Sequence, residues 1–147
     1  MQDFTKLRVW HDSQDLAVAV FAATKGFPRE ERFGLSSQMR RAAVSVSSNI
    51  AEGCGRFGPA EVSRFLQIGV SSACELVSQI DLSHRLNFLD ERVFVSLRSQ
   101  AELVRKSLIR LDAKVRSGSR GPRVETCFLR VLEPTTHHPP LTTPRCR

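Results

Sequence analysis

The sequence predicts an all-α protein, an antiparallel up-down-up-down four-helix bundle with a disordered C-terminal tail. Apolar residues recur at spacings of three and four through four segments of about 18 to 28 residues, as amphipathic helices require. Gly, Pro and Asn residues punctuate the chain between those segments. No part of the body alternates with period two over a useful length, so strands are not expected. At 147 residues there is room for one domain, and 41% hydrophobic with 25% charged residues is an ordinary globular composition.

The first helix is expected over about residues 8–25. Trp10, Ser13, Ala17, Val20, Thr24 and Phe27 step by threes and fours, with Leu16 and Phe21 widening the stripe. Gly26 supplies a stop, and Pro28 cannot continue the helix. A short turn is expected at residues 30–33.

The second helix opens near Ser36 or Ser37 and runs to about Arg56, burying Leu35, Met39, Ala42, Ala43, Val46, Ile50 and Cys54. Gly53, Gly55 and Gly58 weaken it and end it. The third starts at Pro59, a residue suited to a first helical turn, and continues to about Leu86. Its stripe is Val62, Phe65, Leu66, Gly69, Ala73, Leu76, Val77 and Ile80, and Asn87 fits a left-handed position after its end. The fourth takes Asp90 as N-cap and Glu91 in its first turn, both favourable at the positive end of the helix dipole. Val93, Leu97, Ala101, Val104, Leu108, Leu111 and Val115 form a coiled-coil-like seam, and Lys114 and Arg116 occupy the last turn.

The bundle domain is therefore expected over 1–116 and the tail over 117–147. The tail holds five of the seven prolines and five Arg against two Glu, a composition that does not sustain a core. Within it, residues 127–132 are apolar enough to dock locally.

Lys and Arg total 22 against 15 acids, a net charge of +7, and 18 of the 22 are Arg. Guanidinium groups make bidentate contacts with phosphates, which fits a nucleic acid or another polyanion. The same bias is also what a GC-rich coding sequence produces on a merely soluble surface. No stretch approaches the roughly 18 apolar residues of a membrane span, and the first six residues lack a signal-peptide pattern. Cys54, Cys74, Cys127 and Cys146 form no CxxC pair, so a cytoplasmic protein with reduced thiols is expected.

Residues 53–58, Gly-Cys-Gly-Arg-Phe-Gly, match the dinucleotide fingerprint literally. That fingerprint needs a preceding strand, and a long helix precedes it here, so the stretch reads as a connection between helices. No Glu is followed by His three residues later, and His11, His84 and the pair His137-His138 are scattered, so neither a metal site nor a cofactor is expected. Serines are abundant, but no GxSxG elbow or SxxK box accompanies them, and small serines on bundle helices mainly permit close packing. No acid-base or nucleophile set converges, and no enzymatic activity is expected.

Ser45, Asn49, Glu52 and Arg56 share one face of the second helix, with Arg41 one turn earlier. Ser71, Ser72, Glu75 and Gln79 have similar spacing on the third. If these faces meet, Arg41, Asn49, Glu52 and Glu75 form an internal polar network that fixes helix register. The alternative is a polar groove presented to a ligand. Arg40 and Arg41 lie about 100° apart on a helix, so one can face solvent and the other a neighbouring helix. Arg29, Arg32, Arg40, Arg56 and Arg64 gather around both ends of the second helix and the turn that follows it, and Arg29, Arg40, Arg56 and Arg64 are the expected phosphate contacts. The absence of Tyr, a single Trp and core positions for most of the nine Phe favour backbone contact over base reading.

One stretch of residues carries a family resemblance. Val9-Trp10, then Phe27-Pro28-x-x-Glu31-x-Phe33-Gly34-Leu35-x-x-Gln38-x-Arg40-Arg41-Ala42-Ala43, resembles the 23S rRNA intervening-sequence proteins. The match continues through Ser45-x-x-x-Asn49-Ile50-Ala51-Glu52-Gly53-x-Gly55-Arg56, then Phe65-Leu66 and Glu75-Leu76, and covers about residues 4–115. His11, Val46 and the run Ser72-Ala73-Cys74 depart mildly from the family's usual residues, and the tail has no counterpart. The resemblance implies a four-helix protomer that assembles into a ring, typically a homopentamer, with no established enzymatic activity. A related group, the accessory proteins of diversity-generating retroelements, comprises basic pentamers that bind nucleic acid and a reverse transcriptase. The expectation is a homo-oligomer that binds RNA or DNA backbone through a basic surface. The alternative is a structural adaptor that recruits a protein partner such as a reverse transcriptase.

Overall fold

The computed structural model of the chain describes residues 3–118. A 3-10 turn at Phe4–Lys6 precedes α1 (Arg8–Ala23); 3-10 turns at Thr24–Gly26 and Arg29–Arg32 lead to α2 (Leu35–Cys54), α3 (Pro59–Arg85) and α4 (Glu91–Gly118). No strand occurs among the described residues. Each helix packs on its successor and α1 returns to α4, which closes the up-down-up-down ring. The 27 residues of α3 span about 40 Å, and α3 packs extensively on both α2 and α4. Residues 117 and 118, expected in the tail, extend α4 by a half-turn; the rest of that disordered-tail expectation lies outside the described residues.

The predicted stripes become the core. Every α2 residue named above, from Leu35 to Cys54, is buried, as are Leu66, Ala73, Leu76 and Ile80 of α3 and the α4 seam from Leu97 to Val115. Phe21 is the exception on α1: it is 43% exposed, because Val9, Leu16 and Val20 fill the inner face instead. Buried serines return their hydroxyls to their own helix, Ser13 to the Trp10 carbonyl at 2.6 Å and Ser83 to that of Gln79 at 2.7 Å, so little polar surface is stranded.

α2 and α3 approach closely at Gly53. A Cβ at Gly53 would stand 3.2 Å from the Phe65 Cβ, a tight contact that a larger residue could make only if Phe65 shifted by a few tenths of an ångström. Gly58 takes φ 85° ahead of Pro59, turning the chain into α3. The literal fingerprint at 53–58 is thus a helix end and a turn between helices.

The α3–α4 turn is closed by hydrogen bonds at both helix ends. The Phe88 N–H donates to the Ser83 carbonyl and the Asn87 N–H to that of His84, both at 2.9 Å, with Asn87 at φ 60°. This is a Schellman termination with Asn in the left-handed position. The Asp90 carboxylate then caps α4, accepting from the Val93 N–H at 2.8 Å. Asn87→Val is expected to cost about 1–2 kcal/mol in urea unfolding, since a β-branched residue resists that φ, while Asn87→Gly keeps full stability.

Candidate nucleic-acid interface

Between α1 and α2 the chain cannot stay helical, because Gly26 and Pro28 intervene. Phe27 is buried and packs its ring on Phe88 with centroids 5.4 Å apart, tying the connector to the α3–α4 turn. The turn Arg29–Arg32 follows, and the Glu31 carboxylate accepts from the Leu35 N–H at 3.0 Å. That acid caps α2, and with Glu30 in the same turn it offsets part of the positive charge of Arg29 and Arg32.

Five cations converge on this junction: Lys25, Arg29 and Arg32 from the connector, with Arg40 and Arg41 one turn into α2. Arg40 is half-buried; its Nε donates to the Thr24 hydroxyl at 2.8 Å, and its guanidinium lies 5.1 Å from the centroid of the Phe21 ring. Phe21, displaced from the core, supplies that platform. An open cavity of about 530 Å³ runs beside Arg32, Arg40 and Arg41, and a second of about 210 Å³ lies between Lys25, Arg29, Arg32 and Arg40. Among the described residues none of these five cations is in an ion pair.

Elsewhere Arg85, Arg92, Lys106 and Arg110 are also in no ion pair among the described residues, whereas other cations are neutralised. Arg56 pairs with Glu52 and rests 4.8 Å from the Phe65 centroid, and Arg64 lies 3.8 Å from Glu61. On α3 and α4, Asp81, Arg98, Glu102 and Arg105 form a chain of ion pairs at 2.7–2.8 Å. The Arg105 and Arg98 guanidiniums hold the Glu102 carboxyl below the usual carboxylate range.

The four expected phosphate contacts do not form one surface. Arg29 and Arg40 lie in the cleft, whereas Arg56 and Arg64 lie at the opposite end of α2, about 24 Å away along its axis. The expected division of labour between adjacent arginines runs the other way round: Arg41 is exposed and Arg40 bonds to Thr24 in the turn after α1. The internal network is likewise smaller than expected. Arg41, Glu52 and Glu75 are exposed, and no ion pair joins them across α2 and α3 among the described residues. The two faces meet through Ser45 and Ser72, whose hydroxyls lie 2.9 Å apart, and Asn49 donates to the Ser45 carbonyl at 2.7 Å. Glu75 accepts from Gln79 at 2.9 Å. Short serines let the helices come so close that the longer charged side chains leave for solvent.

Two features went unread in the sequence. Ser63 donates to a buried Asp112, tying α3 to α4, with Arg116 3.4 Å from the same carboxylate. The available signal was an acid on the α4 seam beside Leu111. The second is Phe33, 86% exposed, which forms part of the cleft wall. Cys54 is buried, and that burial pushes its thiol up to about 11, so it stays protonated near neutral pH. No group of three His, Cys, Asp or Glu side chains suited to a metal occurs among the described residues. No helix among them is long and apolar enough to cross a membrane.

Four antiparallel helices joined by short turns, with a cationic cleft at one end, define a four-helix-bundle protein. The chain belongs to the 23S rRNA-intervening sequence protein family, whose model matches residues 5–110. The same fold is seen in a crystal structure from Bacteroides thetaiotaomicron VPI-5482, a protein of unknown function from the S23 ribosomal protein family. That chain is 23% identical over 71% of this chain and 97% of its own, with a TM-score of 0.67. No curated protein matches this chain.

Proposed function

We propose that this protein is a non-enzymatic homo-oligomer, a pentamer by its resemblance, that binds the backbone of RNA or DNA in the cytoplasm through the α1–α2 cleft. The supporting observation is the clustering around one cleft of five cations that are in no ion pair among the described residues, while Arg56, Arg64, Arg98 and Arg105 are paired. Cations held ready in this way release counterions from a polyanion on contact. The test is fluorescence anisotropy of a labelled structured RNA at rising salt. With up to five phosphates engaged, log Kobs is expected to fall against log salt with a slope of about −3 to −5. A flat titration, or no binding at low salt, refutes it.

A second reading, an adaptor that recruits a protein such as a reverse transcriptase, has support in Val95, Leu103 and Ile109, all exposed along α4. Co-purification of a reverse transcriptase lost on Leu103→Asp supports that reading, and its retention opposes it.

A further inference from the structure

The geometry points to single-stranded nucleic acid as the occupant of the α1–α2 cleft, with Phe33 stacking on an unpaired base while Arg32, Arg40 and Arg41 hold the neighbouring phosphates. This deepens the backbone-binding reading and rests on it. Phe33 is 86% exposed, at the mouth of a cavity whose other walls include Phe21 and those three arginines. The ring does not hang on a loose loop. Its backbone ends the Arg29–Arg32 turn, the Gly34 N–H donates to the Glu31 carbonyl at 3.2 Å, and the Glu31 carboxylate is anchored on α2.

Two guanidinium–ring pairs frame the opening: Arg32 lies 5.6 Å from the Phe33 centroid, and Arg40 lies 5.1 Å from that of Phe21. Exposed aromatic rings interleaved with cations that are in no ion pair among the described residues suit a single strand, because each nucleotide offers one flat base and one phosphate. A duplex offers the phosphates alone, its base faces being stacked away. The cavity, about 530 Å³, is open to solvent and falls in the usual range of small-ligand sites, room enough for a splayed base beside Phe33. An acidic protein segment would satisfy the arginines but leave the exposed ring without its flat counterpart.

The test compares a labelled single-stranded oligonucleotide with the same sequence annealed to its complement. The full chain is used, as wild type, Phe33→Ala, Phe33→Trp and Arg41→Glu. Wild type is expected to prefer the single strand. Phe33→Ala should weaken the single strand by about tenfold or more and leave duplex affinity within about twofold, while Phe33→Trp retains single-strand binding. Phe33→Ala without effect on the single strand, alongside a loss on both substrates for Arg41→Glu, overturns the stacking and leaves backbone binding standing. No binding of either substrate by wild type overturns both. If Phe33→Ala instead lowers the sedimenting mass at unchanged single-strand affinity, the ring belongs to a contact between copies of this chain, and the proposal falls.

Discussion

Leu76→Ala is expected to lower the unfolding free energy by about 2–5 kcal/mol, a large share of the roughly 5–15 kcal/mol that such a domain commands. Leu76 is fully buried near the middle of α3, the helix that packs on both α2 and α4. Truncation removes apolar atoms from a site with no solvent on any side. The surrounding helices, held at fixed spacing by the Ser45–Ser72 and Ser63–Asp112 contacts, cannot close fully on the void. The matched control is Leu103→Ala, the same chemical change on a side chain that is 54% exposed, where the loss should stay within about 0.5 kcal/mol. Urea melts should show a lower midpoint for Leu76→Ala at unchanged slope. Equal midpoints for the two variants would mean that Leu76 does not sit in the common core.

The double reversal Arg32→Glu/Arg41→Glu is expected to cut affinity for a labelled RNA by more than tenfold at low salt and to reduce the salt slope by about two. Both side chains are exposed and in no ion pair among the described residues, so far-ultraviolet circular dichroism should not change. Arg56→Glu and Arg64→Glu should each do less, because those guanidiniums lie about 24 Å from the cleft and beside Glu52 and Glu61. Arg40 is a poor choice for the same purpose. Its bond to Thr24 and its place over Phe21 tie it to α1, so reversal there mixes binding with stability. Losses of equal size at all four exposed positions would indicate a diffuse electrostatic surface rather than a cleft.

Some residues carried more of this structure than others. Asn87 and Asp90 were readable as the end of one helix and the start of the next because capping is local: a few consecutive backbone groups need partners, and few side chains supply them. The α2 stripe was readable because 3.6 residues per turn place Met39, Ala43, Val46 and Ile50 on one side whatever lies opposite. Family membership was readable from the motif around Arg40 and Arg41. The polar residues behaved differently. Arg41, Glu52 and Glu75 share the right helical faces for a buried network, yet helical spacing says only that side chains point the same way. It does not say whether solvent or protein waits there.

Four helices, their caps and turns, the apolar stripes and the excess of cations were determined by the sequence alone, since each follows from periodicity, backbone hydrogen bonding or composition within one segment. Tertiary structure decided that Arg40 turns to Thr24 and Arg41 to solvent, that Arg56 and Arg64 spend their charge on neighbouring acids, that Asp112 meets Ser63, and that Phe33 stands open among arginines. These outcomes depend on how closely separate helices pack and on which side chains then have room. Such distances arise between residues far apart in the chain, where no local pattern records them.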